Sequence, residues 1–563
     1  MAMIVPTFAR RPIFGYAWIV LAAVGTGFLS FGLWAHHMFT IGLPAISQGF
    51  FSAASEAVVI PTGVQIFVFI ATLLLGRVVP STPMLFAAGA LVIFVIGGLT
   101  GVMVALAPFD WQAHDSYFVV AHLHYVLIGG MLFPVVAGIY YYFPLVGGRK
   151  LSDRLGRWAF WLMFTGFNIG FLPMHLTGLR GMPRRVFTYP GELGLDWLNL
   201  VSSVGAFVFA AGVLIVTYDV LRPKRDEAHN APRNLWNAGT LEWVAKIPPE
   251  AWGVRSVPII ESRYPIWEQP GFIENMDGGA FYLPDAEEER RETIITSTLD
   301  AEPIQCMRLA GPTWLTLVAA FFTGGVFVFP TFHLYTPGLV SAALALAVIL
   351  YWLWTGTAEI PEKRSKDVGL GLTLPLYLSG PRSCGWWAMF ITMIGDATAF
   401  ASLVFGYFFF WTVRDGFPPD PAAGPGLFWP TLATVALLAG WLLTWHARRR
   451  HAAAGPAGLR RLLWLAAACS ILGGAGLLLG PWLTGLDPTT HVYPAMVWVL
   501  VGWTVLHAGI GVIMQLYCIA RSLAGRMTPE HDIDIWNVSL YWHFLGTTTF
   551  VTYAVTALFP LVA

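Results

Sequence analysis

The sequence predicts an all-α polytopic membrane protein with about thirteen transmembrane helices in two bundles joined by an aqueous linker. Three observations predict it. Of the 563 residues, 56% are hydrophobic and only 11% are charged, with a mean hydropathy of +0.64. Apolar runs long enough to cross a bilayer, about 20 residues each, recur along almost the whole chain. The exception is one charged, Pro- and Glu-rich stretch near the middle. Formal net charge is zero, which argues against nucleic acid or an acidic macromolecule as a partner and leaves the lipid bilayer as the evident one. Cys306, Cys384, Cys469 and Cys518 are widely spaced and read as small buried apolar residues rather than as ligands.

In chain order, the first domain, 1–223, holds about six spans. The first runs from about Ile13 to Gly42 and carries Trp34-Ala-His36-His37-Met-Phe-Thr near its far end. The second, about Ala54 to Leu75, contains Pro61-Thr62-Gly63-Val64-Gln65. The third covers about Pro83 to Leu106 and the fourth about Tyr117 to Phe143. The fifth, about Trp158 to Met174, leads into His175-Leu-Thr-Gly-Leu-Arg180-Gly-Met-Pro-Arg184-Arg185, and the sixth is about Leu198 to Val220. Residues 224–308 form the aqueous linker. The second domain, 309–563, holds seven spans near Pro312–Pro330, Leu339–Leu353, Cys384–Val413, Pro430–Trp445, Leu462–Leu483, Tyr493–Ala520 and Val538–Val562.

The excess of Lys and Arg in cytoplasmic loops orients such a chain. Arg10/Arg11, Arg149/Lys150/Arg154/Arg157, Arg222/Lys224/Arg225, Lys363/Arg364/Lys366, Arg448–Arg450 with Arg460/Arg461, and Arg521/Arg526 fall on one face if every span crosses once. That face is expected inside, which makes the linker cytoplasmic and puts the C-terminus outside. Arg180, Arg184 and Arg185 break the rule. Cations held on the outer face suggest fixed anions there, which Arg binds through paired donors. Asp110, His114 and Asp115 lie on the same face.

The chemistry concentrates in the fourth span. Ionisable residues inside a membrane are costly and mark function, and imidazole is the commonest metal ligand. His122 and His124 are two residues apart, so on an α-helix they point about 200° apart. They cannot readily share an ion, but each can ligate the iron of a different haem. His36 and His37 are neighbours, about 100° apart, and both can reach one copper or non-haem iron ion. His114 and Asp115 suit a hard divalent cation such as magnesium.

Several segments match a known pattern: Arg11-Pro12-Ile-Phe-Gly, Trp34-Ala-His36-His37-Met38-Phe39-Thr40, Pro61-Thr62-Gly63, His114-Asp115 followed by Val119-Val120-Ala121-His122-Leu123-His124-Tyr125-Val126, and Gly181-Met182-Pro183-Arg184-Arg185. Together they resemble the second half of subunit one of haem–copper cytochrome c oxidases, from Met1 to about Arg225. Gly385-Trp386-Trp387, His507-Ala-Gly-Ile-Gly and Tyr541-Trp542-His543-Phe544 resemble subunit three, and the linker motif Leu241-Glu242-Trp243 with Pro248-Pro249 is similar to chains that fuse the two subunits.

The resemblance implies a catalytic set of His36, His37 and His122. His36 and His37 would be copper ligands, His122 the axial ligand of the oxygen-binding haem, and His124 one axial ligand of the electron-donating haem. Arg184, Arg185 and Asp110 would lie at haem propionates, and His114 and Asp115 would bind magnesium beside subunit two. Two haems, a-type, with copper and magnesium are the implied cofactors. The implied reaction is reduction of O2 to water with electrons from cytochrome c, coupled to proton pumping in the plasma membrane of a bacterium.

Three departures qualify the match. The family's subunit one has six further spans ahead of the point where Met1 enters the pattern. They bear the remaining axial ligand, the third copper histidine and its tyrosine, so this chain alone is expected to be incomplete and to need that missing N-terminal half as a partner. Gln65 stands where the family carries a lysine in a proton path that also includes Thr62. Leu123 replaces a customary aromatic residue. An inactive or assembly-type scaffold and a quinol-oxidising relative stay open as alternatives.

Overall fold

A computed structural model describes residues 1–31, 33–223, 232–249, 254, 256–284, 291–297, 299–357, 360–418 and 424–562. Lys224 and Arg225, expected in an inward-facing basic group, lie outside the described residues. The chain divides into two compact units, Met1–Pro284 and Asp285–Ala563. Residues 232–284 of the expected linker therefore belong to the first unit, and 291–308 to the second.

Eleven helices among the described residues are long and apolar enough to cross a membrane. One of them, Phe428–Leu483, has 56 residues. At 1.5 Å per residue it would reach far beyond a hydrocarbon core of about 30 Å. It is two spans: Gly455 sits at φ 65°, ψ 176° and breaks the helix, with Arg448–Arg450 on one side and Arg460 and Arg461 on the other. The halves fold back on one another through small residues, since a Cβ on Gly440 would meet Ser470 Oγ and one on Gly473 would meet Leu437 and the Ala433 carbonyl. With the shorter apolar helix Leu315–Thr331, the count reaches the thirteen expected.

In the first unit, α1 (Ile4–Ala9) is a short, wholly buried helix. Helix α2 (Tyr16–Phe31) is followed by a 3-10 turn, Trp34–Met38. The second span begins earlier than its apolar run and is built from α3 (Ala45–Ala57) and α4 (Val59–Leu74), broken at Val58. Helix α5 is Thr82–Ala105, capped by Ser81 and with Pro83 in its first turn, the positions both residues favour. A short α6 (Ala107–Ala113) leads to α7 (Tyr117–Leu127), which Ser116 caps through the Phe118 amide. A π-helical segment, Ile128–Leu132, joins α7 to α8 (Phe133–Gly147). Helices α9 (Asp153–Leu179) and α10 (Asp196–Leu221) complete the unit's spans. They touch backbone to backbone, because a Cβ on Gly205 would fall 2.2 Å from the Gly170 nitrogen; small residues permit such contacts between membrane helices.

The residues after α10 dock by their tryptophans. Trp236 Nε1 donates to the Tyr141 carbonyl at 2.9 Å and Trp243 Nε1 to the Tyr141 hydroxyl at 2.8 Å. Trp243 is fully buried, so its hydrogen bond satisfies a polar atom that water cannot reach.

In the second unit, the strands among the described residues form two short hairpins, Arg291–Thr296 with Pro303–Leu309 and Ser365–Asp367 with Thr373–Pro375. Glu292 ties them together. Its side chain is 0% exposed and pairs with Arg308 Nε at 3.1 Å and Lys366 Nζ at 2.5 Å. Burial pushes this carboxyl up, but the two cations outweigh burial and hold it below its ordinary range. Breaking a buried ion pair from one side costs about 3–5 kcal/mol. Glu292→Ala is therefore expected to lower the melting temperature of the detergent-solubilised complex, read by intrinsic fluorescence. Because the folded carboxyl is depressed, its contribution is present at neutral pH and lost as pH falls through the acidic Glu range; the variant should lose that acid-side dependence.

Candidate metal centre

Helix α7 is the organising element of the first unit. On one flank it packs against α5, where His122 Nδ1 lies 3.0 Å from the Gly97 carbonyl and 3.2 Å from Thr100 Oγ1. The helices approach closely because α5 presents glycines. A Cβ on Gly97 would come within 2.9 Å of Tyr125 and Val126 backbone atoms, and one on Gly101 within 2.9 Å of His122 Cε1. On the other flank His124 stacks on Phe171 of α9, with ring centroids 4.4 Å apart and 17° between planes. Its Nδ1 is 2.7 Å from the Val120 carbonyl of its own helix. In both rings, Nδ1–H donated to a carbonyl fixes the tautomer and leaves Nε2 as the ligating nitrogen. An Nδ1 anchored in this way is compatible with an axial ligand of haem iron.

His36 and His37 lie in the 3-10 turn rather than in an α-helix. Three residues per turn set neighbouring side chains about 120° apart. The rings nonetheless sit with centroids 4.3 Å apart. His36 Nδ1 is 3.0 Å from Ser55 Oγ, and that hydroxyl donates to the Phe51 carbonyl at 2.6 Å. The pair suits one shared ion through the remaining nitrogens. Among the described residues no group of three or more His, Cys, Asp or Glu side chains converges on a metal position.

Below the end of α7, His36, His37, Asp110, His114, Asp115 and Arg184 line one small void of about 20 Å³, room for a single water or ion. His114 Nδ1 is 2.8 Å from Asp110 Oδ2, and Arg184 pairs with Asp115 at 2.5 Å. Burial raises the Asp110 carboxyl, and the His114 hydrogen bond draws it back. A magnesium ion on His114 and Asp115 would have to share Asp115 with Arg184. The arginine segment is laced to the start of α7: Tyr117 N donates to the Met182 carbonyl at 3.0 Å, and Arg184 N to the Asp115 carbonyl at 2.8 Å. Arg185 is exposed, at φ 67°.

Gln65 and Thr62 stand apart from this cluster. Gln65 Nε2 donates to Thr26 Oγ1 at 2.8 Å, and both residues line a separate cavity of about 900 Å³ between α2, α4, α5 and α8. The structure also brings forward residues the motifs did not assign: Ser55 and Thr100 as partners of His36 and His122, Gly97 as acceptor, and His175, which packs at 5.0 Å from Phe118 and 5.5 Å from Tyr125. A signal for the glycines lay in the run Gly97-Gly98-Leu-Thr100-Gly101, whose spacing lines one helix face.

The chain is similar to known oxidase subunits. Residues 1–208 match the family described as cytochrome c and quinol oxidase polypeptide I. Cytochrome c oxidase subunit 1 of Alkalihalophilus pseudofirmus is 39% identical over 281 residues, 50% of this chain and 44% of that protein. Cytochrome c oxidase subunit 1 of Bacillus subtilis is 38% identical over 327 residues, 58% of this chain and 48% of that protein. Quinol oxidase subunit 1 of Bacillus subtilis is 44% identical over 263 residues, 46% of this chain and 40% of that protein. The chain thus spans less than half the length of each of these relatives. The matched segment, residues 1–208, contains His36, His37, His122 and His124 and is similar to subunit I of these oxidases.

Proposed function

We propose that this chain is part of a terminal respiratory oxidase in a bacterial plasma membrane, reducing O2 to water with electrons from cytochrome c and translocating protons. The observation that carries the reading is the placement of His122 and His124 against different helices, α5 and α9, each with Nδ1 anchored to a backbone carbonyl. His122 and His124 would each hold a haem iron and His36 with His37 a copper ion; these groups supply the electron transfer to O2. The chain's own part is positional. Gly97 and Thr100 orient His122, Ser55 orients His36, and Phe171 orients His124. Arg184 and Arg185 would offset propionate charge, and His114 with Asp115 would take magnesium.

The partners in this reading are subunit two and a polypeptide bearing the other six spans of subunit one. Residues 309–563 serve as a subunit-three-like domain, the linker is cytoplasmic and the C-terminus outside. A quinol as donor is the second reading, favoured by the 44% identity to a quinol oxidase subunit. Oxygen uptake by the purified complex with reduced cytochrome c, compared with a quinol, separates the two.

In the assembled complex, His122→Ala is expected to abolish the carbon-monoxide-dependent haem spectrum and spare the other haem, and His124→Ala to do the reverse. Both signals persisting in both variants would end the two-haem assignment. Gly101→Ala should disturb the carbon-monoxide-binding haem selectively, since its methyl group meets His122 Cε1, at an overpacking cost of about 1–3 kcal/mol; an unchanged spectrum counts against that packing. Arg184→Gln with Arg185→Gln should lower haem midpoint potentials, on the order of 1 kcal/mol per charge removed, measured by redox titration.

A further inference from the structure

Glu56 is the one acidic residue of the first unit that lies away from the ends of a candidate span, among the described residues. It falls about 5 Å along the axis from the midpoint of Ala45–Leu74, at 1.5 Å per residue. A carboxyl at that depth is costly and marks function unless it is paired. Glu56 Oε1 is buried and has no hydrogen-bond partner among the described residues.

Its surroundings bring polar groups rather than a counter-ion. Ser52, one turn earlier on the same face, accepts the Ala107 amide at 3.2 Å, so this face looks toward the end of α5. The break between α3 and α4 follows at Val58. Pro61, in the first turn of α4, has no N–H to give the Ala57 carbonyl, which frees an acceptor beside Glu56. The preceding residue, Ser55, reaches His36 Nδ1 at 3.0 Å. The elements packed on α3 bring it His36, His37, Asp110 and, at the far end of α2, Tyr16; α4 and α5 bring no titratable side chain. Farther along the span, Gln65 bonds Thr26 and has no proton to lose or gain near neutrality.

Resting on the oxidase reading, we infer that Glu56 is a proton-carrying residue of the second span, standing between the Gln65 end of that span and the His36–His37 pair. Its carboxyl proton passes through water at the kink toward the Ser55 hydroxyl. The carboxylate left behind regains a proton from water on the Gln65 side.

The test uses the assembled complex with Glu56→Gln and Glu56→Asp. Reduced-minus-oxidised infrared difference spectra of the unaltered enzyme should contain the carbonyl band of a protonated carboxylic acid that shifts in D2O and vanishes in Glu56→Gln. Turnover in Glu56→Gln should fall by about a hundredfold, with haem spectra and carbon monoxide binding retained, and Glu56→Asp should restore part of it with an altered pH profile. A spectrally normal Glu56→Gln enzyme with turnover within about twofold and the band intact overturns this inference alone. An unaltered complex that binds no carbon monoxide overturns the oxidase reading and this one with it.

Discussion

The contact on which the first unit depends is the approach of α7 to α5 at Gly97 and Gly101. Without side chains there, the two backbones come close enough for the Gly97 carbonyl to accept from His122. In a bilayer no water can substitute for that acceptor, so a helix carrying an imidazole must find one within the protein. Once His122 is fixed on α5, the helical repeat turns His124 to α9. The rest of the unit follows: the arginine loop closes over the N-terminus of α7, and the His36–His37 turn meets Asp110 and Arg184 at the same small void.

Main-chain carbonyls hold several polar groups of the site. His122, His124 and Ser55 each bond a main-chain carbonyl. Carbonyls of helices are positioned by the helices themselves, so these anchors are as rigid as the bundle. Charged pairs appear instead at its end, where Arg184 meets Asp115 and His114 meets Asp110. The second unit uses the same division: its buried ion triad around Glu292 ties the hairpins, while small residues join the halves of its long broken helix.

The second span carries two polar side chains of note, Gln65 and Glu56. Gln65 is bonded to Thr26, and Glu56 lies two residues before the break at Val58.

The sequence by itself determined the all-helical membrane class and the number of spans, because burying backbone in lipid leaves few alternatives to apolar helices of fixed length. It also determined that His122 and His124 diverge, since the α-helical repeat is set by local geometry. It placed the ends of the second span and the form of the His36–His37 turn less well. Residues 45–53 are already helical ahead of the apolar run, and Trp34–Met38 adopts a tighter turn than the span around it. Only the tertiary structure decided the rest: that Ser55 and Thr100 face the histidines, that Arg184 takes Asp115 while His114 takes Asp110, and that Trp236 and Trp243 bind the linker's first part to Tyr141. These are contacts between residues far apart in the chain. They exist because close-packed helices leave each polar group few reachable partners, and no local pattern names them.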